Sequence, residues 1–103
     1  MPSGRKKYAI TALAYNKAGK LIAVGKNSYV KTHPMQAKYA NMVNKPDALF
    51  LHAEIHALVQ AREPVHKLVV LRYDSNGTPR NAAPCEICQL AIKDFKVKHV
   101  EHT

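Results

Sequence analysis

Along the 103 residues, apolar positions fall into two rhythms, separated by polar breaks that contain Gly or Pro. Tyr8 to Tyr15 (YAITALAY) is a run of apolar, β-branched and aromatic residues that predicts a strand. The segment Asn16-Lys17-Ala18-Gly19-Lys20 that follows predicts a turn, with Gly19 available for a positive φ, and Leu21 to Val24 then pairs back. The chain therefore opens on a β-hairpin. Gly25-Lys26-Asn27-Ser28 reads as a loop. Thr32-His33-Pro34 reads as a helix start, with Thr32 or His33 at the cap and Pro34 in the first turn. Met35, Tyr39 and Met42-Val43 recur at helical spacing as far as Asn44 and Pro46.

A second helix is more strongly patterned. Leu51, Ile55, Leu58 and Val59 form one stripe, Ala53, Ala57 and Ala61 permit close approach, and Pro64 ends it. Lys67 to Arg72 (KLVVLR) has the continuous apolar centre of a buried strand. A polar loop, Asp74 to Ala83, leads to Pro84, which opens a third helix reaching about Phe95, and Val97 to Val100 predicts a last short strand. Strand, helix, strand, helix, strand at this spacing implies parallel crossovers on one sheet, so the expected class is α/β with a single mixed sheet, an N-terminal hairpin and then parallel strands. No repeat, linker or low-complexity segment interrupts it, and one domain over 1–103 is expected.

Composition narrows the class. Hydrophobic residues make up 47% of the chain, in the range of a globular protein, and at this length roughly 60 to 70% of the unfolded surface can be buried. No apolar run approaches the ~20 residues that span a bilayer, and the basic N-terminus has no apolar stretch behind it to make a signal peptide. A cytoplasmic protein with no membrane partner is the expectation. Charge adds more: 16 basic residues face 7 acidic ones, a net +9. Positions 1–46 carry basic residues and no acid, so the whole excess lies in the first half. Such a field attracts phosphate or serves solubility.

The candidate chemistry is concentrated in two short motifs. Cys85 and Cys88, the only cysteines, stand three apart in the predicted first turn of the third helix, on one face. Exposed N–H groups and the positive helix end favour thiolates there. In an apparently intracellular chain this reads as a dithiol redox pair or half of a metal site rather than a disulfide staple. The other motif is His52-Ala53-Glu54-Ile55-His56 at the start of the second helix. Its order is HxExH, not the HExxH of zinc proteases, and in a regular helix Glu54 would point about 200° away from His52. With His52 at the helix start that angle need not apply, and Glu54 can approach a metal held by His52. Zinc prefers N and S ligands, and a catalytic zinc keeps three of them. His52, Cys85 and Cys88 supply three and leave Glu54 as a base.

His52-Ala53-Glu54 followed by Pro84-Cys85-Glu86-Ile87-Cys88 resembles the H-x-E…P-C-x-x-C signature of zinc-dependent nucleobase deaminases. The chain looks like the cytidine and deoxycytidylate deaminase superfamily over most of its length. In detail, Asp74-Ser75-Asn76-Gly77 through Pro84-Cys85 to Phe95 is similar to the nucleoside-type enzymes, with Gln89 after the second Cys where they often have Arg, and Tyr29 two residues after Asn27 where they have Glu. The resemblance implies a three-layer α/β/α fold and a hydrolase of pyrimidine nucleotide metabolism with Zn2+ on His52, Cys85 and Cys88. It also implies that Glu54 moves protons while cytidine, deoxycytidine or dCMP becomes its uracil product.

Substrate contacts are then assigned to Asn27, whose amide both donates and accepts, to Ala53, whose backbone N–H meets the base in the resembled family, and to Phe50, which can stack on a pyrimidine or pack in the core. His56 is assigned to packing or to a hydrogen bond behind the ligands. Lys26, Lys31 and Lys38, near Asn27, are candidates to hold a nucleotide's phosphate. Two rival readings stand beside this one: a deaminase of cytosine or adenine in single-stranded nucleic acid, served by the basic half, and a non-catalytic zinc or redox module. The small single sheet also leads to the expectation of a homo-oligomer.

Overall fold

A computed structural model describes residues 9–28, 31–45, 48 and 50–103. Tyr8, Tyr29, Pro46 and the basic residues Arg5, Lys6 and Lys7 lie outside the described residues. The elements are β1 (Ala9–Tyr15), β2 (Leu21–Lys26), α1 (Pro34–Met42), α2 (Ala53–Gln60), β3 (Lys67–Tyr73), α3 (Glu86–Asp94) and β4 (His99–His102). They form a mixed four-stranded sheet in the order β2-β1-β3-β4. β1 is antiparallel to both β2 and β3, and β4 runs parallel to β3. The α/β class, the opening hairpin and the later parallel strands are those the pattern predicts.

The hairpin turn closes with Gly19 at φ 85°, its N–H donating to the Asn16 carbonyl at 3.0 Å, while the Asn16 side-chain oxygen accepts from Lys20 N. β2 runs two residues further than its apolar run suggested and takes in Gly25 and Lys26. The reason is contact with α2: a Cβ on Gly25 would fall against the Ala53 carbonyl oxygen and the Ala57 nitrogen. Glycine lets the helix lie directly on the strand. The last strand is displaced the other way, His99–His102 instead of starting at Val97. Lys96, at φ 57°, ends α3 in a Schellman turn, with its N–H on Lys93 O and Val97 N on Ile92 O, so residues 96–97 serve the helix end. α1 ends in the same way, with Asn44 at φ 59° and Lys45 N donating to Ala40 O. At its start His33 is the N-cap, its Nδ1 accepting from Met35 N at 3.0 Å, and Pro34 follows at the first helical position.

The core lies between the sheet and the helices. Ala12, Ala14, Leu68 and Val70 point into it from β1 and β3, against Ile55, Ala57 and Leu58 of α2 and Ile87 and Ala91 of α3. α2 lies on β1 and β2, and the three helices touch one another. The single mixed sheet with its three helices agrees with the expected α/β class. On the other face Leu13, Val69 and Leu71 are half-buried, and Leu21 and Val24 are exposed.

Candidate metal centre

Two helix starts meet at one place. His52 is the N-cap of α2 and Cys85 the N-cap of α3, both with extended backbone and neither using its side chain to cap the helix. An extended residue at a helix entrance can aim its side chain away from the helix's own face, which resolves the angular difficulty posed by a regular helix. His52 Nδ1 lies 3.3 Å from Cys88 Sγ and 3.5 Å from Cys85 Sγ. The three ligand atoms all fall within 4.8 Å of one another. Tetrahedral bonds of about 2.05 Å to nitrogen and 2.3 Å to sulfur separate N from S by ~3.6 Å. The donor set and its spacing therefore fit a metal ion of the zinc type, and these residues lie close enough to hold one.

The cluster is polarised. The Cys88 thiol donating to Cys85, with help from His52, brings the Cys85 pKa down to about 3, so Cys85 is a thiolate. Cys88 is pushed well above the usual thiol range by that same bond, by burial and by the nearby Glu54 carboxylate. His52 is raised, chiefly by its hydrogen bond to Cys85. Glu54, in the first turn of α2, is only 6% exposed, and burial raises its pKa against the opposing pull of its own backbone N–H and of His52. A buried carboxyl beside a cluster of metal-ligating atoms is costly unless it is used or satisfied.

A pocket of about 390 Å³ opens over this cluster, within the range of small-molecule sites. His52, Ala53, Glu54 and Cys85 line it, as do Asn27 and Phe50. Asn27 uses its side-chain oxygen to accept from Ile10 N at 2.9 Å, which continues the β1–β2 pairing by one residue. Phe50 is 51% exposed, so it stands on the rim and not in the core. Ala53 is buried at the first position of α2. Lys26, Lys31 and Lys38 are exposed, and none of them lines the pocket. Lys38 instead lies over the Tyr39 ring, 5.2 Å from its centre. His56 accepts the backbone N–H of Lys26 on Nδ1 at 3.0 Å and stands apart from the ligand cluster.

Sequence reasoning missed Arg72 and Asn81, which line the pocket and meet through Arg72 Nη1 and the Asn81 carbonyl at 3.2 Å. Arg72 closes the predicted KLVVLR strand, and its place opposite Ile10 is set by a register that the sequence does not carry. Gln89 has a local use: its Nε2 donates to Pro84 O at 2.9 Å and braces the turn that carries the cysteines. No helix among the described residues is long and apolar enough to cross a membrane. Comparison with protein-family models finds no match for the chain, and comparison with curated proteins finds none either.

Proposed function

We propose that this chain is a zinc-dependent hydrolase that deaminates cytosine in a nucleoside or nucleoside monophosphate, consuming water and releasing ammonia and the uracil product. The observation that carries the reading is the placement of Glu54: an acid held out of water, at the wall of a pocket, beside three side chains with the spacing of a metal ligand set. A structural metal site has no use for such a carboxyl. The resemblance of HAE and PCEIC to the deaminase signature supports the choice of reaction.

His52, Cys85 and Cys88 would hold the ion, which when bound supplies the Lewis acidity that makes water nucleophilic near neutral pH. Glu54 takes a proton from the attacking water and gives it to ring N3, so that C4 becomes electrophilic. It then takes the second proton from the hydroxyl added at C4 and delivers it to the departing amino group, so that the C4–N bond breaks, the carbonyl forms and ammonia leaves. Burial raises the Glu54 pKa, which makes it a stronger base than an exposed carboxylate. Ala53 offers a first-turn N–H to the base, Phe50 offers a rim surface for stacking, and Asn27 stands where the sugar would lie. For a monophosphate, Arg72 is the better candidate than the three lysines, since it lines the pocket and they do not.

The test is to incubate zinc-loaded protein with cytidine, dCMP and a cytosine-containing oligonucleotide and follow ammonia and uracil. Turnover of cytidine or dCMP is expected, and Glu54→Gln should keep its zinc while losing about 10²- to 10⁴-fold in rate. Turnover of the oligonucleotide alone would transfer the reading to a nucleic-acid deaminase. Zinc binding without turnover on any substrate would leave a non-catalytic module. A homo-oligomer is part of the proposal, and sedimentation as a monomer at micromolar concentration counts against it.

A further inference from the structure

Gln36, in the first half of α1, is a fully buried polar side chain that neither the fold pattern nor the deaminase resemblance singles out. Both ends of its amide are engaged by backbone. Nε2 donates to the Ala48 carbonyl at 3.0 Å, and Oε1 accepts from the N–H of His52 at 3.2 Å. Only this orientation of the amide puts a donor on the carbonyl and an acceptor on the N–H, so the two partners fix it. A methionine would fill the same volume; the amide is required because two backbone groups face it.

His52 is the residue at which this matters. Its carbonyl accepts from His56 N as the start of α2, but an N-cap N–H points out of the helix and has no partner there. The preceding residue is tied on both sides, Leu51 N to Lys31 O at 2.8 Å and Leu51 O from Ser28 N at 2.9 Å. Gln36 extends that line of anchors to the N–H of the ligand residue itself. We infer that Gln36 is a positioning residue of the metal centre, setting from α1 the backbone from which His52 presents Nδ1 to Cys85 and Cys88. The inference rests on the reading of these three side chains as a metal site.

Zinc affinity of the refolded metal-free protein, measured by competition with a chromogenic chelator, tests it. Gln36→Met should weaken zinc by about 10- to 100-fold, the loss usual for partners that orient a ligand. The cobalt-loaded variant should also show a weaker and broader tetrahedral absorption band. Tyr39→Phe is the control, because Tyr39 shares α1 with Gln36 and its loss cuts only the bond from Oη to Asp94 Oδ2, at the end of α3 away from Cys85 and Cys88, without touching His52. It should leave zinc affinity within about twofold. Gln36→Glu, which keeps an acceptor for His52 N, should retain more affinity than Gln36→Met and serves if the latter does not fold. Affinity in Gln36→Met equal to wild type, or an equal loss in Tyr39→Phe at matched metal-free stability, overturns the role given to Gln36. Failure of the wild-type protein to bind zinc overturns the metal centre itself, and the role with it.

Discussion

Glycine 25 and aspartate 74 show how much single side chains decide here, one by its absence and one by its charge. With no room beside Gly25 for even a methyl group against the Ala53 carbonyl and the Ala57 nitrogen, Gly25→Ala must push α2 off the sheet. Overpacking of this kind typically costs about 1 to 3 kcal/mol, and both atoms here are backbone, so the upper end is expected in chemical denaturation. Because α2 begins beside His52, one of the three side chains close enough to hold a metal ion, zinc affinity on the proposed reading should fall as well. Asp74 Oδ1 accepts from Asn76 N and Thr78 N, and Oδ2 from Arg80, interactions that hold its carboxyl below the usual range. A depressed carboxyl contributes order that is present above the unfolded pKa of ~3.9 and is lost as pH falls through the lower folded value. The amide shifts of Asn76 and Thr78 should therefore titrate together with a midpoint below ~3.9; a midpoint at or above it would refute the assignment. The ligands and Glu54 were legible in the sequence because they form motifs of fixed spacing. Gln36 and Arg72 were not, since a lone Gln in a helix and an Arg at a strand end acquire meaning only from what the fold sets opposite them.

At the level of elements, the sequence was clearest where a chemical stop signal coincides with the end of an apolar rhythm. His33-Pro34 marks the start of α1, and Gly19 marks the hairpin turn, and both stand where the pattern put them. Boundaries moved where tertiary contact overrode the pattern, as at Gly25, or where a helix end took residues that had looked like a strand, as at Lys96 and Val97. Lys96 adopts φ 57° without the short polar side chain that makes Asn44 tolerant of the same region. Lys96→Gly should relieve that and stabilise the protein by about 0.5 to 1 kcal/mol in urea denaturation, with the end of α3 unchanged. A loss of stability would mean that the Lys96 side chain holds α3 by contacts that outweigh its backbone strain.

For the molecule as a whole, the inward face of the sheet could not be read from the chain, because β1 and β3 are apolar on both faces and alternation gives no hint of which face the helices take. Among the described residues, the fully buried Ala12, Ala14, Leu68 and Val70 of one face stand against the half-buried Leu13, Val69 and Leu71 of the other. His52 and Cys85 are 33 residues apart and are joined through β3, so an ion held between them acts as a reversible cross-link that closes a long loop of the chain. Binding to the folded form alone at a hundredfold excess over Kd adds about 2.7 kcal/mol of stability. For a domain of this size that is a rise of roughly 10 to 20 °C in Tm, which chelation should remove and added zinc restore. An unchanged Tm on chelation would mean that no ion had been holding the loop. The fraction of this protein that is folded, and hence its resistance to proteolysis, would then be set by the zinc available around it.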